Sequence, residues 1–79
     1  MSALTFQAKA RKRPSAAGGT IREWRSADGR YIIVEITNPA YGRWYRACRV
    51  LNSGVTFASE SRHKTRAAAE RACKHHREA

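Results

Sequence analysis

Large apolar and aromatic residues are concentrated between positions 21 and 57 of the 79-residue chain, where both tryptophans and all three tyrosines lie. They occur in short runs separated by turn sequences, which is the pattern of strands in a small sheet. Four strands are predicted, at residues 21–25, 31–37, 43–51 and 55–59. The second is the strongest, because its sequence YIIVEIT is rich in β-branched residues, which favour strands over helices.

The segments between these runs carry turn signals. Asp28-Gly29 predicts a hairpin, because glycine tolerates the positive φ that tight hairpin turns need. Pro39 interrupts the sheet, since proline has no N–H to donate to a ladder, and Asn52-Ser53-Gly54 predicts a further tight turn. Short connections of this kind join neighbouring antiparallel strands, so the four strands are expected to form a meander.

A helix is predicted from Thr65 to Arg77, where alanine is frequent and glycine and proline are absent. Thr65 is the expected N-cap. One narrow stripe of the helix should face the sheet, and it consists of Ala69, Ala72, Cys73 and His76. Its small side chains would let the helix lie close to the strands.

Residues 1–19 differ from the rest in being basic and rich in turn-forming residues. They are predicted to be a flexible basic arm, with the folded domain at residues 20–79. The expected fold is α+β: an antiparallel β-meander of three to four strands, followed by one C-terminal α-helix packed on the sheet.

The cysteines, histidines and acids give little indication of catalysis. Two cysteines cannot form the disulfide framework of a small secreted domain, and we see neither a signal-peptide pattern nor a long apolar run, so a reduced, cytoplasmic protein with no membrane partner is expected. The six acids are scattered singly. We therefore expect no enzyme activity and no cofactor. No metal ion is expected either, because the residues that could bind one lack the sequence spacing of a zinc site. These residues are Cys48, Cys73, His63 and His76.

Charge is the informative feature. The chain has 16 lysines and arginines against 6 acids, a net charge of +10 and a pI of about 10.9. Arginine suits phosphate contacts and stacking on bases, and basic strands with interleaved aromatics are typical of surfaces that bind nucleic acid. We therefore predict a non-enzymatic protein that binds DNA or RNA through phosphate contacts from Arg11, Lys12, Arg13, Arg43, Arg46, Arg49, Arg62, Lys64, Arg66 and Lys74, with Trp44 and Tyr45 as stacking or interface residues.

Residues 44–77, with the order strand, turn, strand, basic loop and alanine-rich helix, resemble the C-terminal half of a double-stranded RNA-binding domain. That resemblance implies a helix N-terminus that grips phosphates, at His63, Lys64 and Arg66. The chain is also similar in style to small phage and prophage proteins, through its Arg- and Ala-rich composition and the phrases DGRY and GRWYRA. Such proteins include DNA-binding accessory factors and anti-CRISPR inhibitors.

The second resemblance implies an alternative function: a protein–protein inhibitor that presses an Arg-rich face on an acidic patch or on a nucleoprotein complex. Arg, Trp and Tyr also dominate interface hot spots, so the same residues suit this hypothesis. A homodimer is a further alternative, through exposed strand edges at Ile21 or Val55.

Overall fold

The computed structural model of the chain describes residues 4–16 and 18–78. They form an α+β fold in which a five-stranded antiparallel sheet has the strand order β1-β2-β3-β4-β5 and is followed by one helix. The elements are β1 (Arg11–Pro14), β2 (Thr20–Arg25), β3 (Tyr31–Asn38), β4 (Gly42–Leu51), β5 (Gly54–Phe57) and α1 (Arg66–Glu78). The predicted meander and C-terminal helix are confirmed. Within the described residues, no helix is long and apolar enough to cross a membrane.

The sheet has one strand more than predicted, because the segment expected to be a flexible arm contributes β1. Its residues pair with β2, from Arg11 opposite Glu23 to Pro14 opposite Thr20. All four side chains of β1 are exposed, so the strand lacks the apolar alternation by which strands are recognised in a sequence. Glycines of the predicted linker form the connecting turn, in which Gly18 has a φ of 89°.

The beginning of the described chain is also attached to the domain. Leu4 and Phe6 are partly buried and pack against the core, and Phe6 forms an isolated bridge with Ser26. The expected boundary at residue 19 therefore does not separate an arm from a folded unit. Gly19 itself lies so close to β3 that a Cβ atom there would collide with the carbonyl oxygen of Thr37.

The remaining turn and cap predictions are confirmed. Gly29 has a φ of 74° in the turn between β2 and β3. Beside it, Asp28 accepts hydrogen bonds from Ser26 Oγ at 2.6 Å and from the Arg30 N–H at 3.0 Å, and these bonds lower its pKa. Thr65 caps α1, because its Oγ1 accepts the N–H of Ala68 at 3.1 Å.

The core lies between α1 and one face of the sheet, which we call the helix face. Residues directly opposite each other in antiparallel strands share a face, so the register places Trp24, Ile33 and Ala47 together. Ala69 and Cys73 of α1 pack against them and are fully buried. The small residues of the predicted helix stripe thus allow close packing on β3 and β4.

The opposite side of the sheet, which we call the open face, is covered by no helix or strand of the described residues. Its central strands contribute Ile32, Val34, Ile36, Trp44, Arg46 and Cys48. Ile32 and Cys48 are nevertheless buried, whereas Val34, Ile36 and Trp44 are half-buried. The sheet therefore has a packed core on one side and an apolar surface on the other.

This one-sided core predicts different costs for two similar truncations in β3. Ile33→Ala removes a side chain with no exposed surface and should lower the free energy of unfolding by about 2–5 kcal/mol, the usual range for a core isoleucine. Ile36→Ala lies on the open face and should cost less. Urea unfolding followed by circular dichroism measures both values, and equal losses would contradict a core confined to the helix face.

Candidate functional site

The alternation of strand β4 divides the predicted binding residues between the two faces. Trp44 and Arg46 lie on the open face, whereas Arg43, Tyr45 and Arg49 lie on the helix face. These predicted residues therefore do not share one face of the sheet. The reason is the period of two along a strand, which points adjacent side chains in opposite directions.

On the helix face the arginines near the end of β3 surround a buried carboxylate. Glu35 is only 4% exposed and accepts a hydrogen bond from the Tyr45 hydroxyl at 2.6 Å. Arg22 and Arg43 reach its two oxygens at 3.5 and 3.9 Å. Arg66, at the start of α1, is also paired, with Glu70 at 3.7 Å. Much of the positive charge here is therefore directed at the protein's own acids.

Tyr45 is thus a structural residue of the helix face. It packs against the core cluster, with its ring centroid 6.5 Å from that of Trp24. The hydrogen bond to Glu35, together with burial, raises the pKa of its phenol. Sequence reasoning missed this network, although the alternation of β3 does place Glu35 on the same face as the core residue Ile33.

The open face carries a shallow apolar groove with a volume of about 360 Å³, which crosses β3, β4 and β5. It is lined by Val34, Ile36, Trp44, Arg46, Cys48, Phe57 and Arg62. Phe57 was not among the predicted site residues, yet it is 57% exposed. The sequence signal that could have identified it is the alternation of its strand, which places Phe57 and Val55 on one face.

Each of the two aromatic rings in the groove is in contact with an arginine. The guanidinium carbon of Arg46 lies 3.9 Å from the ring centroid of Phe57, and that of Arg62 lies 4.8 Å from the ring centroid of Trp44. Trp44 and Phe57 lie on neighbouring strands and are offset by four residues along the register, which separates them by roughly 14 Å along the sheet. Aromatic and cationic groups therefore alternate along the groove.

Further arginines border this groove on the β1 and β2 side. Arg11 and Arg25 line a depression with Gln7, Glu23 and Ile32. Arg13 is held by Glu23 at 2.8 Å. Among the described residues no ion pair to a carboxylate engages Arg11, Arg25, Arg46 or Arg62, in contrast to the paired arginines of the helix face.

The residues expected to grip phosphates at the start of α1 do not form one cluster. Arg62 lies over Trp44 on the open face, whereas Arg66 lies over Trp24 on the helix face, 5.1 Å from the ring centroid. His63 pairs through its main chain with Tyr45, and its Nε2 is buried without a hydrogen-bond partner. Lys64 and Lys74 are exposed, and Lys74 lines a hollow on the outer side of α1.

A larger cleft, of about 690 Å³, lies at the other end of the molecule beside the C-terminal end of α1. Arg30, Arg49 and Arg77 contribute to its lining, together with Tyr31 and His76. The Tyr31 hydroxyl lies 2.8 Å from His76 Nδ1. This cleft is the second basic surface of the protein, and it is on the helix face, opposite the groove.

The two thiols are buried and lie near each other. Burial raises the pKa of Cys73 to about 12 and raises that of Cys48 as well, so neither has the thiolate character of a reactive cysteine. Across residues 4–16 and 18–78, no group of three or more histidines, cysteines and acids is placed to hold a metal ion.

Comparisons with known protein families, with curated proteins and with solved structures find no match to this chain. The resemblances to double-stranded RNA-binding domains and to small phage proteins therefore stay predictions.

The raised pKa of Tyr45 predicts a specific pH dependence of stability. Its folded-state value lies above the unfolded-state value of about 10, so the free energy of unfolding falls as the pH rises from about 10 through the folded-state pKa. Tyr45→Phe lacks this dependence and, because Glu35 loses its donor, is less stable at neutral pH by about 1–3 kcal/mol. Urea unfolding at several pH values measures both effects, and parallel pH profiles for the two proteins would contradict the assignment.

Proposed function

We propose that the protein binds single-stranded nucleic acid on its open face. The observation that carries the proposal is the pair of aromatic rings on an uncovered sheet, each in contact with an arginine guanidinium. Single strands expose their bases, and proteins bind them by combining aromatic stacking with a positively charged groove. The groove of the open face offers both features in one place.

The individual residues have distinct roles in this proposal. Phe57 and Trp44 provide stacking surfaces for two bases, and the guanidinium groups of Arg46 and Arg62 extend those surfaces, since arginine planes also stack on bases. Arg11 and Arg25 contact phosphates along the border of the groove. Arg43 and Arg49 lie on the other face and are not part of the interface.

Stacking, rather than charge alone, distinguishes this proposal from general attraction between a basic protein and a polyanion. Phe57→Ala should weaken binding to a labelled oligothymidylate by about 5- to 150-fold, the range expected for one stacked base. Tyr41→Ala is the matched control, because Tyr41 is 81% exposed in the turn between β3 and β4 and does not line the groove. Fluorescence anisotropy at physiological salt measures both. An abasic strand of equal length should bind weakly and should not discriminate the two variants.

The charged part of the interface is tested by two reversals that change the net charge equally. Arg62→Glu alters the open face, whereas Arg49→Glu alters the cleft on the helix face. We expect a larger loss of affinity for Arg62→Glu, because the guanidinium over Trp44 no longer extends the stacking surface. The dependence on salt concentration should also be shallower, because the groove loses a positive charge. Equal losses would contradict an interface on the open face, and a larger loss for Arg49→Glu would move the interface to the cleft.

The same binding measurements distinguish the proposed function from the alternative of a protein–protein inhibitor. An inhibitor that uses this face for a protein partner would show no affinity for the oligothymidylate that survives physiological salt. Duplex DNA and duplex RNA of the same length complete the comparison, and tighter binding to either duplex would contradict the preference for single strands.

A further inference from the structure

The two edges of the sheet differ in how well they are protected against pairing with another strand. Strand β1 forms one edge, and its sequence Arg-Lys-Arg-Pro carries charges and a proline, both of which discourage edge-to-edge contact. This strand also covers β2, so the edge predicted at Ile21 does not exist. Strand β5 forms the other edge, with the sequence Gly-Val-Thr-Phe and neither charge nor proline.

The pairing of β5 with β4 determines which of its main-chain groups point outward. Ala58 donates its N–H to the carbonyl oxygen of Ala47, and Arg49 lies opposite Thr56 two residues further along. Hydrogen-bonded and non-hydrogen-bonded pairs alternate along an antiparallel ladder, so Thr56 bonds to β4. The N–H and C=O groups of Val55 and Phe57 therefore point away from the sheet.

These four outward groups can form hydrogen bonds with the same four groups of a second copy of the chain. If two β5 strands meet antiparallel with a twofold axis at Thr56, Val55 of one copy lies opposite Phe57 of the other, and each pair exchanges two hydrogen bonds. A register shifted by two residues in either direction retains only one such pair within the strand limits. The arrangement centred on Thr56 is the one that uses all four groups.

The side chains favour the same arrangement. Val55 and Phe57 are 59% and 57% exposed, and both lie on the open face. In the symmetric pair, each valine would pack against the partner phenylalanine as a cross-strand neighbour. The helix packs on β3 and β4 and makes no contact with β5, so it leaves this edge accessible.

From these observations we infer that the protein forms a homodimer in which the two β5 strands pair antiparallel about Thr56, making one continuous ten-stranded sheet. This inference is independent of the proposed function. If both hold, the open faces of the two copies join, and their grooves form one longer surface for a single strand.

The twofold axis gives a direct test by cross-linking. The two Thr56 residues would form a non-hydrogen-bonded pair with Cα atoms about 4.5 Å apart, within the range of roughly 4.4–6.8 Å that a disulfide spans. Thr56→Cys should therefore form a covalent dimer under mild oxidation. Ser53→Cys, in the exposed turn before β5, should not. The native thiols are buried and do not compete, so the unmodified protein should also remain free of cross-links.

If Thr56→Cys cross-links no faster than Ser53→Cys at high protein concentration, the proposed pairing is wrong. Val55→Pro provides a second measurement, because it removes an outward N–H without removing a bond to β4. Sedimentation equilibrium should show a dimer for the unmodified protein and a monomer for Val55→Pro, with circular dichroism confirming that the variant is folded. An unmodified protein that stays monomeric would overturn the inference.

Oligothymidylate affinity of the same variants separates this inference from the proposed function. The proposed function would stand if the monomeric Val55→Pro protein still binds the oligothymidylate and loses that binding when Phe57→Ala is added. Loss of dimerisation and loss of nucleic-acid binding are thus read from different variants and different measurements.

Discussion

A single 13-residue helix packs on one face of a five-stranded sheet, and the rest of the structure depends on this imbalance. Close packing is possible because the helix presents small buried residues, Ala69 and Cys73, to Ile33 and Ala47. A single helix can cover only one face of the sheet. The apolar residues on the opposite side of β3 and β4 are therefore left at the surface, where exposed apolar patches commonly mark binding sites.

The same division governs the charges. Along β4 successive arginines point to opposite faces, and their surroundings differ. On the helix face, Glu35 and Glu70 hold three of the arginines in ion pairs. On the open face, Arg46 and Arg62 have no carboxylate partner among the described residues, and they lie against the accessible rings of Phe57 and Trp44, whereas the helix-face ring of Trp24 is buried. A polyanion with flat bases complements the second arrangement better than the first, and this contrast is the physical basis of the proposed function.

Most of the fold could be predicted from the sequence, because strands β2 to β5 and the helix carry strong local signals. β-branched runs, Asp28-Gly29 and the cap at Thr65 each act over a few residues. Strand β1 could not be predicted, since an exposed edge strand needs no apolar alternation. The candidate site was predicted only in part. Trp44, Arg46 and Arg62 were identified by residue type, but their association with Phe57 depends on the register of β4 against β5 and on the path of the chain to Arg62.

An interface on the open face is tested most directly by mapping amide and side-chain NMR shifts while an oligothymidylate is added to the protein. We expect the largest changes on the open face, including the Trp44 indole and the amides around Phe57. Little change is expected at the helix-face cleft around Arg30 and Arg49. Changes confined to that cleft, or spread evenly over all basic residues, would contradict an interface on the open face.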